Sequence, residues 1–147
     1  MEIRTFVTAD TEALVALWRG CGLVHPKNDP YRDIDRKVAD SPWGLLVATH
    51  NGTDDADTGR RIVGSVMVGY DGHRGWINYL ACAPDHRRRG VARSLMEHAR
   101  DLLAERGCLK INLQVRAGND AANSFYESLG YSDDGVTSFG LRLVHDD

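Results

Sequence analysis

The stretch from residue 76 to residue 106, WINYLACAPDHRRRGVARSLMEHARDLLAER, constrains the fold of this chain more than any other. Trp76 to Cys82 is short and apolar on both pleat faces apart from Asn78, and it stops at Pro84. That pattern predicts a buried central strand. From Gly90 onward the apolar residues fall at Val91, Ala92, Leu95, Met96, Ala99, Leu102 and Leu103, leaving Arg93, Glu97, Arg100, Asp101 and Glu105 for solvent. This is the spacing of an amphipathic helix, and Gly107 supplies its stop. A strand, a tight basic loop and a long helix therefore follow one another directly.

The loop between them reads Arg87-Arg88-Arg89-Gly90-Val91-Ala92. The first N–H groups of a helix lack intrahelical partners and lie at the positive end of its dipole. Gly90 has no Cβ to keep an anion from that backbone, and the arginines add charge. The loop suits a diphosphate. A solvated arginine turn capping a surface helix is the alternative that these residues alone leave open.

The other elements fall in place around this core. Glu2 to Val7 alternates and predicts a first strand, and Thr8 is the expected cap of a helix whose buried stripe is Leu14, Leu17, Trp18 and Cys21. Two prolines make residues 24–31 a loop, and a short helix is expected over Asp33 to Ala39. Gly44 to His50 and Ile62 to Tyr70 read as strands, separated by the polar stretch Asn51 to Arg60, which is expected to be a mobile hairpin loop without chemistry. After Asp71-Gly72 and the central unit, Leu109 to Arg116 alternates as a half-buried strand that should run parallel to the central one. Asn119 to Leu129 is a second amphipathic helix, and Val136 to Val144 is expected to close the chain as an antiparallel strand with Phe139, Leu141 and Leu143 on one face. The order β-α-α-β-β-β-α-β-α-β predicts an α/β (α+β) fold: a mixed, mostly antiparallel sheet of six to seven strands with helices on both faces. Residues 1–147 are expected to form a single domain.

Two motifs carry a family resemblance. Arg87-x-x-Gly90-x-Ala92 after a strand resembles the R/Q-x-x-G-x-G/A signature of the GCN5-related N-acetyltransferases, the GNAT superfamily. Asn119-x-x-Ala122-x-x-Phe125-Tyr126, followed by Leu129-Gly130-Tyr131, resembles that family's second signature, in the family order and at a similar separation. The likeness covers essentially the whole chain and is nearest to the small bacterial YpeA-type members.

The resemblance implies acetyl-CoA as cosubstrate, with no metal. It places the diphosphate on Arg87, Arg88, Arg89, Gly90, Val91 and Ala92, and the pantetheine arm against Leu80, Ala81 and Cys82 on a bulged central strand. Leu80 N–H would donate to the acetyl carbonyl and stabilise the oxyanion. Asn119 and Asn123 would contact the arm, and Tyr126 would protonate the departing thiolate. Cys82 is expected to be a core residue, since nothing near it would activate a thiol. The family often places a glutamate early in the central strand as base. Here that strand offers Trp76 and Asn78, so Asp71, His73, Asp29 and His25 remain open as loop candidates and the base is unassigned.

Bulk composition limits the alternatives. A formal net charge of −3 and three adjacent arginines without interleaved aromatics argue against nucleic-acid binding. No membrane-length apolar run or signal pattern is present, so a cytoplasmic protein is expected. The three cysteines, Cys21, Cys82 and Cys108, give neither a disulfide framework nor a zinc site. The expected function is acetyl transfer from acetyl-CoA to a primary amine, on a small molecule or a protein. A noncatalytic acyl-CoA-binding regulatory module is the competing reading, and a homodimer is left open. The acceptor pocket is expected between residues 22–43 and the turn from Asp71 to Gly75.

Overall fold

A computed structural model of the chain describes residues 1–51 and 61–146. Five strands, β1 (Glu2–Thr5), β2 (Leu45–His50), β3 (Arg61–Tyr70), β4 (Gly75–Cys82) and β5 (Ile111–Leu113), form one sheet in the order β1-β2-β3-β4-β5. Neighbouring strands are antiparallel except for the parallel pair β4–β5. A parallel pair needs a crossover, and α3 (Val91–Glu105) supplies it. The remaining helices are α1 (Thr11–Gly20), α2 (Pro30–Asp40) and α4 (Asp120–Ser128).

Two adjacent residues of β3 show that both faces of the sheet are covered, because successive side chains on a strand point opposite ways. A Cβ placed on Gly64 would lie 2.7 Å from Val91 and 2.9 Å from Leu95, so α3 rests directly on that backbone. On the other face, the Ser65 hydroxyl accepts a hydrogen bond from Trp18 Nε1 at 2.9 Å, which fixes α1. Leu45 to Thr49 of β2 are buried without alternation, as a strand between two layers must be. Leu95, Ala99 and Leu103 form the buried stripe of α3. Truncating either leucine to alanine costs about 2–5 kcal/mol in a site this enclosed.

Several boundaries differ from expectation, each for a local reason. Thr8 does not cap α1; residues 8–10 form a 3-10 turn, and it is the Asp10 carboxylate that accepts the Val7 N–H, at 2.9 Å. The second helix starts three residues early, because Pro30 fits the first helical position and the Asp29 side chain accepts the Tyr31 N–H at 2.9 Å. The fifth strand pairs over Ile111–Leu113 alone, opposite Gly75 to Ile77, and Leu109 is exposed.

The largest correction is at the C-terminus. Residues 136–144 form no strand, so the described sheet has five strands and not six or seven. Phe139, Leu141 and Leu143 are exposed. Alternation marks a segment able to pair but does not supply the pairing edge. This segment is held by side chains instead: Gln114 to Ser138, Lys110 and Asn112 to Asp134, and Arg142 to Asn28. The expected loop over 51–60 lies outside the described residues apart from Asn51. No helix among the described residues is long and apolar enough to cross a membrane.

Candidate active site

The site grows from an irregularity in β4. Ser65 pairs with Ala81, but Met67 pairs with Asn78, so Tyr79 and Leu80 together oppose the single residue Val66. This is a β-bulge, and Tyr79 sits in it at a φ of 50°, a left-handed value that a tyrosine rarely adopts. Three contacts hold it there. Its ring stacks on Trp18 with centroids 3.9 Å apart. Its carbonyl accepts the Ser65 hydroxyl at 2.8 Å, the same hydroxyl that accepts Trp18 Nε1. Its own hydroxyl donates to Asp33 of α2 at 2.6 Å. Burial and the Asp33 carboxylate keep that phenol protonated.

The bulge lies just past the point where β4 and β5 part. Their pairing ends at Ile77 with Leu113, so the segment from Asn78 to Cys82 has no strand paired to it on the β5 side. A cleft of about 1180 Å³ runs along β5, walled by Arg100 and Leu103 of α3 and by Asn123 and Tyr126 of α4; Trp76 is its one residue from β4, and neither the bulge nor residues 87–92 line it. Tyr126 packs edge-on against Phe125 and Tyr131. Burial raises the pKa of the Tyr126 phenol, so the hydroxyl keeps its proton at neutral pH. No buried side-chain oxygen or nitrogen among the described residues lacks a partner, and the Tyr126 hydroxyl forms no hydrogen bond there; it meets solvent. Asn119 is the cap of α4, its side chain accepting the Ala122 N–H at 3.1 Å, while Asn123 is exposed on the cleft.

The basic loop follows β4 at once. A 3-10 turn over Pro84–His86 leads through Arg87, Arg88 and Arg89, all exposed, to Gly90 at the cap of α3. Gly90 has a φ of 81°, which only glycine takes at no cost, and nothing lies within 4 Å of where its Cβ would be. No side chain caps the helix. The first N–H groups of α3, next to Val91 and Ala92, are therefore open to an anion. Cys82 is half-buried and its thiol is raised by burial, so it is not a thiolate nucleophile; its carbonyl accepts the Cys21 thiol at 3.3 Å.

A second pocket, of about 930 Å³, is lined by the bulge itself, with Asn78 and Tyr79 of β4, Asp33, Arg36 and Lys37 of α2, and Gln114 and Arg116 just past β5 on its walls. His25 borders it, as does Asn28. Asp71 and His73 do not. Asp71 instead organises its own turn, accepting His73 N–H, Arg74 N–H and Trp76 Nε1, contacts that hold its carboxyl at about 2. Asp29 is occupied as the cap of α2. Sequence reasoning passed over Asp33, Tyr79, Trp18 and Ser65. Their one signal was Tyr79 within an apolar run, and a bulge leaves no periodic trace. Among the described residues no group of three or more His, Cys, Asp or Glu side chains could hold a metal ion.

A parallel pair that parts after three residues, a bulge and a helix N-terminus without a side-chain cap follow one another along β4 and into α3. The chain belongs to the acetyltransferase (GNAT) family, whose profile matches residues 6–131. An acetyltransferase of Pectobacterium atrosepticum is 47% identical over 146 residues, covering 99% of this chain and 98% of that one. Among solved structures, the ribosomal-protein-S18-alanine N-acetyltransferase of Escherichia coli superposes with a TM-score of 0.70 at 26% identity, over 88% of this chain and 76% of that one. AAC(6')-Iy, in complex with a bisubstrate analogue, CoA-S-monomethyl-acetylneamine, gives 0.75 at 16% identity, over 96% and 97%, a likeness of fold alone. The chain is an acyltransferase of this family.

Proposed function

We propose that this chain, as a single GNAT domain, transfers an acetyl group from acetyl-CoA directly to a primary amine. The observation that carries the reading is the parting of β4 from β5 after Ile77, with the bulge of β4 just beyond it and Tyr126 on the cleft that runs along β5. Family membership supports acetyl-CoA as the donor. That a neighbour of the same fold binds a CoA bisubstrate analogue, and another is an alanine N-acetyltransferase by name, supports the cleft as the donor site and an amine as the acceptor.

When bound, acetyl-CoA supplies an activated thioester carbonyl. The open N–H groups at the start of α3, with Arg87 to Arg89 beside them, hold its diphosphate. The backbone of Leu80, Ala81 and Cys82 pairs with the pantetheine arm in place of the missing strand. Leu80 N–H, just past the strained Tyr79, donates to the acetyl oxygen as negative charge builds there. Asn123 reaches the arm from α4, and Asn119 acts through its cap by fixing the helix that carries Tyr126. Tyr126, protonated at neutral pH, gives its proton to the leaving thiolate. This placement of a proton donor favours an enzyme over a noncatalytic acyl-CoA module.

Free-thiol release from acetyl-CoA against a panel of amines tests the reading. Turnover with at least one primary amine, and release at background rate without one, is the expected result. Background release with every amine would leave only the binding module.

A further inference from the structure

The family's frequent glutamate in the central strand is absent here, and the acceptor-side pocket holds a carboxylate at another place. Asp33 sits on the first turns of α2 with its side chain 20% exposed. One oxygen accepts the Tyr79 hydroxyl and the other accepts Arg36 at 2.6 Å. Asp33 is thus tied through one side chain to the bulge that would present the thioester.

The guanidiniums around it are shared among several carboxylates. Arg36 is shared between Asp33 and Asp146, and Arg32 between Asp29 and Asp146. Of these three carboxylates Asp33 alone lines the pocket, where Asp40, Arg36, Lys37, Arg116 and Arg142 are the other charged residues. Two of those cations are engaged elsewhere. Lys37 donates to the Val68 carbonyl and to Ser41, and Arg142 donates to Asn28 and to backbone carbonyls.

We infer that Asp33 is the carboxylate that receives the acceptor's ammonium group and takes its proton, directly or through one water; this rests on the acetyl-transfer reading above. The step balances as follows. The ammonium gives one proton to Asp33, and the freed nitrogen lone pair forms a C–N bond at the acetyl carbonyl. The tetrahedral intermediate then breaks its C–S bond, and the thiolate takes the Tyr126 proton. The amide nitrogen, still carrying the positive charge it gained on attack, loses its extra proton through solvent to the Tyr126 phenolate, and Asp33 releases its own to solvent. Tyr79 touches no reacting atom and is a positioning residue for both Asp33 and Leu80.

The test compares two amines that differ in whether a proton must be removed. Butylamine is an ammonium at neutral pH, whereas methoxyamine is already neutral. Asp33→Asn keeps the side chain's size and an oxygen for Tyr79. In thiol-release assays its kcat/KM should fall about a hundredfold with butylamine and far less with methoxyamine. Tyr79→Phe, which disturbs the bulge and leaves the carboxylate, should lower both alike. Equal losses with both amines in Asp33→Asn would overturn the proposal and make Asp33 purely structural. Acetyl-CoA affinity should be unchanged in Asp33→Asn, and a matching loss there would likewise overturn it.

If wild type turns over neither these amines nor any other of the panel, the acetyl-transfer reading has failed by itself. The carboxylate is then judged by calorimetric binding of butylammonium in the presence of CoA. Binding at least about tenfold weaker to Asp33→Asn than to wild type supports Asp33 as the ammonium site. Equal affinity overturns it.

Discussion

Asp10 illustrates how much one side chain near the start of this chain settles. Its carboxylate accepts both Arg4 guanidinium nitrogens, at 2.7 and 2.9 Å, and the Val7 N–H. Burial pushes its pKa up, but the Arg4 hydrogen bonds and the Val7 N–H outweigh that and hold it below its ordinary 3.8. A depressed carboxyl stabilises the fold above its unfolded pKa and loses that contribution as pH falls through the folded value. Asp10→Asn should therefore cost about 1.5–3 kcal/mol at neutral pH in urea denaturation. The gap between variant and wild type should close below about pH 4. Tyr126 is different, because the role proposed for it is kinetic. Tyr126→Phe keeps the ring packed against Phe125 and Tyr131, so melting should barely change. Turnover should fall about ten- to a thousandfold while the KM for acetyl-CoA moves far less. Unchanged turnover with a good amine would make the tyrosine a packing residue. Tyr126 was legible from its motif. Tyr79 was not, because a left-handed tyrosine within an apolar run looks like any other strand residue.

At the level of elements, the strand-loop-helix unit from β4 to α3 is the part the sequence described best. Apolar spacing in α3 matches its buried face, and Gly90 stands at its cap with a positive φ. Gly90→Asp combines backbone strain with a negative charge beside the open N–H groups. CoA affinity by calorimetry should drop in a folded variant, and an unchanged affinity would remove the loop from the binding site. The bulge is where pattern reasoning failed, for a definite reason. A one-residue slip in pairing leaves composition untouched and shows only in the partner register. Ser65 links the slip to α1, accepting from Trp18 and donating to the Tyr79 carbonyl. Ser65→Ala would leave both groups unpaired in a buried place, at about 1–3 kcal/mol for each. Loss of turnover greater than the loss of stability would show that the bulge geometry itself matters for the reaction.

For the molecule as a whole, the sequence described two covered sheet faces and a parallel crossover, and both are present. It misjudged the C-terminus, because Phe139, Leu141 and Leu143 alternate like a half-buried strand yet are exposed. What anchors that end is polar: Asp146 accepts both Arg36 guanidinium nitrogens and the Asp29 N–H. Alternation in sequence could not reveal an ion pair between residues 110 positions apart. The proposed reaction belongs to the whole assembly: an acetyl group would pass straight from thioester to amine, with no acetylated enzyme between them. Intact-protein mass spectrometry, run alongside quantitation of thiol and N-acetyl product during turnover, tests it most directly. The account predicts one thiol for each N-acetyl product and an enzyme mass unchanged throughout. An acetylated enzyme that forms and then decays at the rate of turnover would contradict it.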